Sequence, residues 1–322
     1  MRKAVITDHS FETPDVERSI LDPLGCSVVS QRAFTDQDAL IDLVRDADYV
    51  ITQFAPVNAE VIECMQKCMI IVRYGIGVDN VDLAAAERKG IPVCNVPDYC
   101  IDEVADHAIA MILDLTRRIT QNALTVRGGG WGLAVEPAEM RALKGQTVGV
   151  VAYGRIGREV ALRLGPFKCR VVACDPAVDP ARMEADGVEP VSLQRLYAES
   201  DIVTLHCPST EATRRMIASD SIGAMKDGAL LINVARGTLV DTAALVAALR
   251  SGKLVGAALD VTDPEPIDPG HPLVGMENVL ITSHVASVSE PAGRTLRTSV
   301  ANTVAAAVRG EKLPNVVNGV GA

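Results

Sequence analysis

Val148-Gly-Val-Val-Ala-Tyr-Gly-Arg-Ile-Gly-Arg158 is the stretch that decides the fold. An apolar, β-rich run passes through a turn of small residues into a helix-compatible segment. Gly154 lets the backbone approach a pyrophosphate, and Gly157 permits close packing of helix on strand. The free N–H groups and positive dipole end of that helix then suit phosphates. Ala152 stands where the first glycine of such a turn belongs, which is tolerable if its φ is negative. Arg170-Val-Val-Ala-Cys-Asp175 reads as the next strand. Its terminal carboxylate falls close to the expected ~20 residues onward, where it binds a ribose 2′-hydroxyl. Pro176 and Ala177 follow, with no arginine beside Asp175 to hold a 2′-phosphate, so NAD is expected over NADP.

Outward from this turn, apolar runs and helical patterns alternate in both directions. Strands are expected at Lys3–Thr7, Ser27–Val29, Tyr49–Thr52, Ile70–Arg73 and Pro92–Asn95, with helices near 36–46, 58–67 and 81–89. A second series runs through Val148–Ala152, Arg170–Cys174, Ile202–Leu205, Ala229–Asn233, Gly256–Leu259 and Val279–Thr282. Its helices include 155–165, 192–198 and 241–251, the last with Asp241 as N-cap and Gly252 as stop. Ile101–Arg118 has helical spacing over an unusual length, and an Ala/Val-rich helix covers 291–309. Arg127–Gly132 breaks the pattern and reads as a loop or an oligomerisation arm. The fold expected is α/β: two doubly wound parallel-sheet domains. The mid-chain nucleotide motif places a Rossmann-type NAD domain, residues 100–287, as an insertion in a substrate domain formed by 1–99 and 288–322. The two long helices would be the crossings.

The composition agrees. A chain of 322 residues is long enough for two cores, and with 3% aromatics those cores must be built from Val, Ile, Leu and Ala. A net charge of −10 argues against nucleic acid or an anionic membrane surface as partner. The eight cysteines form no Cys-x-x-Cys pair and no metal set is recognisable, so they read as buried free thiols in a reducing, cytoplasmic setting. No apolar run approaches membrane-spanning length and no signal peptide is apparent.

Three residues carry chemistry. His284 ends Val279-Leu-Ile-Thr-Ser-His, Glu265 lies upstream, and Arg236 before that. Each stands at or just after an apolar run, at the sheet edge where α/β proteins bind ligands. A carboxylate beside an imidazole holds its tautomer and favours its protonated form, and a guanidinium binds a carboxylate in bidentate fashion. The remaining histidines have duller readings: His107 structural, His206 shaping a wall, His271 a turn or cap, and His9 an exposed loop residue. Asp260 reads as support for the site. Gln53, Asp98, Tyr99 and Trp131 could face a substrate, and Trp131 could equally pack at a domain or subunit boundary.

Tyr74-Gly-Ile-Gly-Val-Asp-Asn-Val-Asp, Asn95-Val-Pro, Glu103-Val-Ala-Asp-His-Ala, Gly154-Arg-Ile-Gly-Arg, Leu205-His-Cys-Pro, Asn233-Val-Ala-Arg-Gly-Thr-Leu-Val-Asp, Ala258-Leu-Asp-Val-Thr-Asp-Pro-Glu-Pro and Ser283-His-Val-Ala-Ser occur in this order. Together they resemble the D-2-hydroxyacid dehydrogenase family over nearly the whole chain. The resemblance implies a flavodoxin-like substrate domain, NAD as cofactor, a homodimer built through the nucleotide domain, and Arg236, Glu265 and His284 as catalytic residues. It places Tyr74, Gly75, Ile76 and Gly77, with Arg236, at the substrate carboxylate. Around the cofactor it places Tyr153, Gly154, Arg155, Ile156, Gly157 and Asp175. Cys207, Pro208, Thr213, Val234 and Ala235 follow, with Arg236, Asp260 and His284. In the implied mechanism His284 exchanges a proton as hydride moves between NAD(H) and a D-2-hydroxy acid/2-oxo acid pair, while the domains close over the substrate. Family formate dehydrogenases carry Gln at the Glu265 position, which argues against formate.

Val96-Pro-Asp, Asp102-Glu-Val-Ala-Asp and Val203-Thr-Leu-His-Cys look closest to the C-terminal-binding-protein branch. That resemblance implies the alternative, an NAD(H)-sensing co-regulator or interaction protein with little turnover. The chain stops soon after its last helix, which favours the enzyme. Ser283 stands where a proline usually precedes the histidine and is expected to loosen the His284 loop without abolishing chemistry.

Overall fold

The computed structural model describes residues 2–34 and 36–321. The chain divides into two compact units, one of residues 1–99 and 289–322, the other of residues 100–288. The divisions fall just before helices Ile101–Arg117 and Glu290–Arg309.

The first unit has strands β1 (Arg2–Ile6), β2 (Cys26–Ser30), β3 (Tyr49–Thr52), β4 (Ile70–Arg73) and β5 (Val93–Cys94). They form one sheet in the order β2-β1-β3-β4-β5, every pair parallel, which is the flavodoxin-like winding. Tyr49–Thr52 and Ile70–Arg73 are buried along their whole length, because helices cover both faces of a parallel sheet.

The second unit carries β6 (Thr147–Val151), β7 (Arg170–Cys174), β8 (Glu189–Pro190), β9 (Ile202–Leu205), β10 (Ala229–Asn233), β11 (Leu254–Leu259) and β12 (Val279–Ile281). Their order is β12-β11-β10-β9-β6-β7-β8, again parallel throughout. This is the Rossmann order with one strand added beyond β11, and its direction reverses between β6 and β9. Both sheets are therefore doubly wound α/β, as the alternating pattern implies.

Local chemistry sets the helix ends. Asp241 accepts the Ala244 N–H to start Thr242–Ser251, and Gly252 stops it with φ 77°. Ile101–Arg117 buries Val104, Ala105, Ala108, Ile109, Ile112 and Leu115, then ends as Arg118 turns left-handed at φ 51°. A further helix, Ile119–Arg127, follows at once. Helix Asp15–Leu21 and strand β8 are not apparent from periodicity. No helix among the described residues is long and apolar enough to cross a membrane. All eight cysteines are free; four are buried and four only partly so.

Candidate active site

Because every strand pair in the second unit is parallel, all the carboxyl ends lie on one edge. Side chains distant in sequence meet there: Ala152–Gly154 after β6, Asp175 after β7, His206–Pro208 after β9, Arg236 after β10, Glu265 after β11 and His284 after β12. The trio thus comes from three adjacent strands.

His284 Nδ1 lies 2.9 Å from Glu265 Oε2, and Glu265 Oε1 accepts the Thr262 N–H at 3.0 Å. Burial would raise the Glu265 carboxyl, but the bond and charge of His284, the Thr262 N–H and the Arg236 charge outweigh it and hold the carboxyl below its ordinary value. Arg236 is placed by the β10 exit: Asn233 accepts the Ala235 N–H at 3.0 Å and donates to the Arg236 carbonyl at 2.8 Å. A Cβ at Gly237 would sit 1.9 Å from the Thr262 carbonyl oxygen, so only glycine lets this turn press against the segment leading to Glu265. Val234 is buried beneath it.

The loop bearing His284 is held by Asp260, whose side chain is 1% exposed. Its carboxylate accepts the Thr282 hydroxyl at 2.6 Å and the N–H groups of Val285 and Ala286 at 2.9 Å each. Its carbonyl accepts the His284 N–H at 2.8 Å, and His107 Nε2 reaches the Thr282 hydroxyl at 3.2 Å. Asp260 is therefore an anchor of the loop that bears His284. Asp260 thus ties the loop from within, while Ser283, just before His284, is exposed.

The dinucleotide turn adopts the expected strand-to-helix form, with one correction. Ala152 has φ +71°, not a negative value. Its carbonyl lies where a Cβ at Gly157 would be, 2.1 Å away, so Gly157 must lack a side chain. Tyr153 N–H donates to Asp175 at 2.8 Å, which brings the acidic strand end to the turn. A Cβ at Gly154 would meet nothing within 4 Å. Helix Arg155–Leu164 begins there without a side-chain cap, so its first N–H groups suit an anion. These residues fit a dinucleotide: Gly154, Arg155 and Ile156 at the phosphates and Asp175 at a ribose. Replacing Ala152 with glycine should remove about 1–2 kcal/mol of left-handed strain and cost about 0.4–1 kcal/mol in chain entropy. The expected net stabilisation of roughly 1 kcal/mol would raise the melting temperature by ~2–4 °C, measured by calorimetry of the purified protein.

Other expected site residues make local contacts. Thr213 ties its own loop, its hydroxyl donating to the Pro208 carbonyl at 2.7 Å. Cys207 is buried, and burial pushes its thiol up to about 11, which disfavours the thiolate. Burial pushes the His206 ring down to about 3, and Nε2 meets the Thr204 hydroxyl at 2.9 Å. His271 caps a short turn through Leu273 N–H.

In the first unit the Tyr74 side chain is part of the core. Its ring is 1% exposed, its hydroxyl donates to Glu17, and its N–H donates to the Thr52 carbonyl. The Gly75 N–H donates to the Arg73 carbonyl at 2.9 Å. His9 is buried, not exposed, with Nδ1 3.0 Å from the Phe11 carbonyl oxygen. Gln53 is spent on Ser10, Asp98 is exposed, and Trp131 in the second unit is 93% exposed. No group of three or more His, Cys, Asp or Glu among the described residues is placed to hold a metal ion.

A dinucleotide turn that shares its sheet edge with a histidine–carboxylate pair defines a nicotinamide-dependent oxidoreductase. More narrowly, the chain belongs to the D-2-hydroxyacid dehydrogenase family. Residues 109–286 match the family described as D-isomer specific 2-hydroxyacid dehydrogenase, NAD binding domain. The glyoxylate reductase of Korarchaeum cryptofilum is 39% identical over 282 residues, covering 87% of this chain and 85% of that protein. The D-3-phosphoglycerate dehydrogenase of Archaeoglobus fulgidus is 36% identical over 91% of this chain, which spans only 55% of that longer protein. The structure of Aquifex aeolicus D-lactate dehydrogenase complexed with NAD and lactic acid superposes with a TM-score of 0.86 at 28% identity, covering 96% of each chain. The protein is thus an NAD-dependent 2-hydroxyacid oxidoreductase.

Proposed function

We propose that this protein interconverts a D-2-hydroxy acid and its 2-oxo acid, with His284 exchanging the proton. The observation that carries this is the 2.9 Å bond between His284 and Glu265, with Arg236 on the neighbouring strand exit. Bound NAD(H) supplies or accepts the hydride. Glu265 fixes His284 Nδ1, so the proton is exchanged at Nε2: given to the developing alkoxide in reduction, taken from the hydroxyl in oxidation. Arg236 pairs with the substrate carboxylate and stabilises charge as it grows on the carbonyl oxygen.

The test is NADH oxidation with glyoxylate, pyruvate, hydroxypyruvate and 3-phosphohydroxypyruvate. Turnover of at least one is expected. Tight NADH binding without turnover on any 2-oxo acid would instead support the nucleotide-sensing interaction protein.

We also propose a homodimer formed through the second unit. Helix Ile119–Arg127 leaves Ile119, Leu124 and Val126 exposed, and Trp131 and Leu133 stand in solvent just beyond it. Beside them lies a hollow of 450 Å³ lined by Leu115, Leu124, Val135, Val274 and Met276. Apolar surface concentrated this way marks an interface. Trp131→Glu is expected to shift the protein from dimer to monomer in sedimentation velocity. A native protein that already sediments as a monomer would refute the assignment.

A further inference from the structure

Ala152 holds a bend that L side chains resist, with φ +71°, and the cofactor turn is built on it. Such strain persists only where the surroundings over-determine the backbone. The Ala152 N–H is fixed to the Cys174 carbonyl at 2.9 Å, and the Tyr153 N–H to Asp175 at 2.8 Å. The Tyr153 side chain then turns inward, 1% exposed, and its hydroxyl donates to Asp186 Oδ2 at 3.0 Å. Arg158, on the helix that the turn opens, grips the same carboxylate through Nε at 2.6 Å and Nη2 at 2.8 Å. Asp186 follows helix Pro180–Ala185, so one carboxylate ties both sides of the turn to a separate element. Arg158 first, then Tyr153, keep that carboxyl ionised by holding it below its usual range against the opposing effect of burial.

We propose that Tyr153, Asp186 and Arg158 form a pin that compensates for the missing glycine at position 152, which makes Tyr153 a positioning residue for NAD(H). Without the hydroxyl bond, Ala152 relaxes toward negative φ and rotates the amides of Tyr153 and Gly154 away from where a pyrophosphate needs them. With glycine at this position the left-handed bend carries no steric penalty. The pin then has nothing to oppose. The Tyr153 hydroxyl and the residue at 152 must therefore be energetically coupled.

The experiment is fluorescence titration of NADH into the native protein, Tyr153→Phe, Ala152→Gly and the double variant. Tyr153→Phe keeps the buried ring. It is expected to raise the NADH dissociation constant by about fivefold or more in the native background, in line with loss of a bond to a charged group. In the Ala152→Gly background the same change should cost less than about twofold. Arg158→Met, which strips the same carboxylate from outside the core, must show the same dependence on residue 152. An equal factor in both backgrounds would overturn the proposal, because Tyr153 would then act independently of the bend. So would an unchanged dissociation constant in the native background.

Discussion

His284→Ala is expected to lower kcat for 2-oxo acid reduction by about 10²–10⁴, the range that a positioned general acid contributes. NADH binding should change far less than kcat, since the dinucleotide turn follows β6 while His284 follows β12. The backbone around residue 284 is held by Asp260 through the His284, Val285 and Ala286 N–H groups, contacts that an alanine side chain leaves in place. The loss should therefore appear in chemistry and not in folding. Single-turnover measurements with preformed enzyme–NADH complex separate the two. A variant that retains native single-turnover rates would remove His284 from the proton transfer. Glu265→Gln should be milder, because the amide can still orient the ring but carries no charge. The sign of its pH dependence follows from the lowered carboxyl. Its stabilising contribution is complete above the ordinary carboxylate value and is lost only as pH falls through the depressed folded value. Any change of rate between about pH 5 and 8 must then come from another group.

What the sequence made legible depended on how locally each feature is encoded. The strand–turn–helix around Gly154 and Gly157 was readable because its chemistry and spacing lie within one short stretch, and Asp175 because it ends the very next strand. Arg236, Glu265 and His284 were readable as residue types after apolar runs, and the parallel order puts them at neighbouring strand exits. Features that depend on distant partners were hidden. Helix Asp15–Leu21 carries Glu17 on its buried face, which a periodicity argument rejects. Arg297 satisfies that carboxylate at 2.7 Å from 280 residues away, through Nη2. The same arginine stacks over Phe11 at 4.8 Å and closes the segment that buries His9. Asp260 was legible as support, but not its work, since its partners lie 22–26 residues downstream on another strand exit. Ala152 was legible as a departure from the turn pattern, yet only the backbone shows that alanine keeps the glycine-like conformation. Asp186 gave no signal at all, because nothing in its local sequence records that Tyr153 and Arg158 converge on it.

Arg236→Lys should be nearly as damaging as removal of the side chain, although it keeps the charge. The proposed clamp needs two parallel N–H donors in a fixed plane, which an ammonium cannot present. The structure already spends part of the guanidinium locally, with Nη1 donating to the Ala235 carbonyl at 2.7 Å. That bond fixes the orientation of the fork, and the Asn233 bonds fix the backbone beneath it. A lysine would keep its positive charge near Glu265 but lose both the plane and its anchor. The expected result is a fall in kcat/KM for the 2-oxo acid of about 10²–10³, the loss typical when one preorganised donor to developing charge is removed. Comparing two dissociation constants decides the role. If Arg236 clamps the substrate, binding of a non-reacting 2-oxo acid analogue such as oxamate weakens while NADH binding stays within about twofold of native. If NADH affinity falls as far as kcat/KM does, Arg236 acts through the cofactor and is not the substrate clamp.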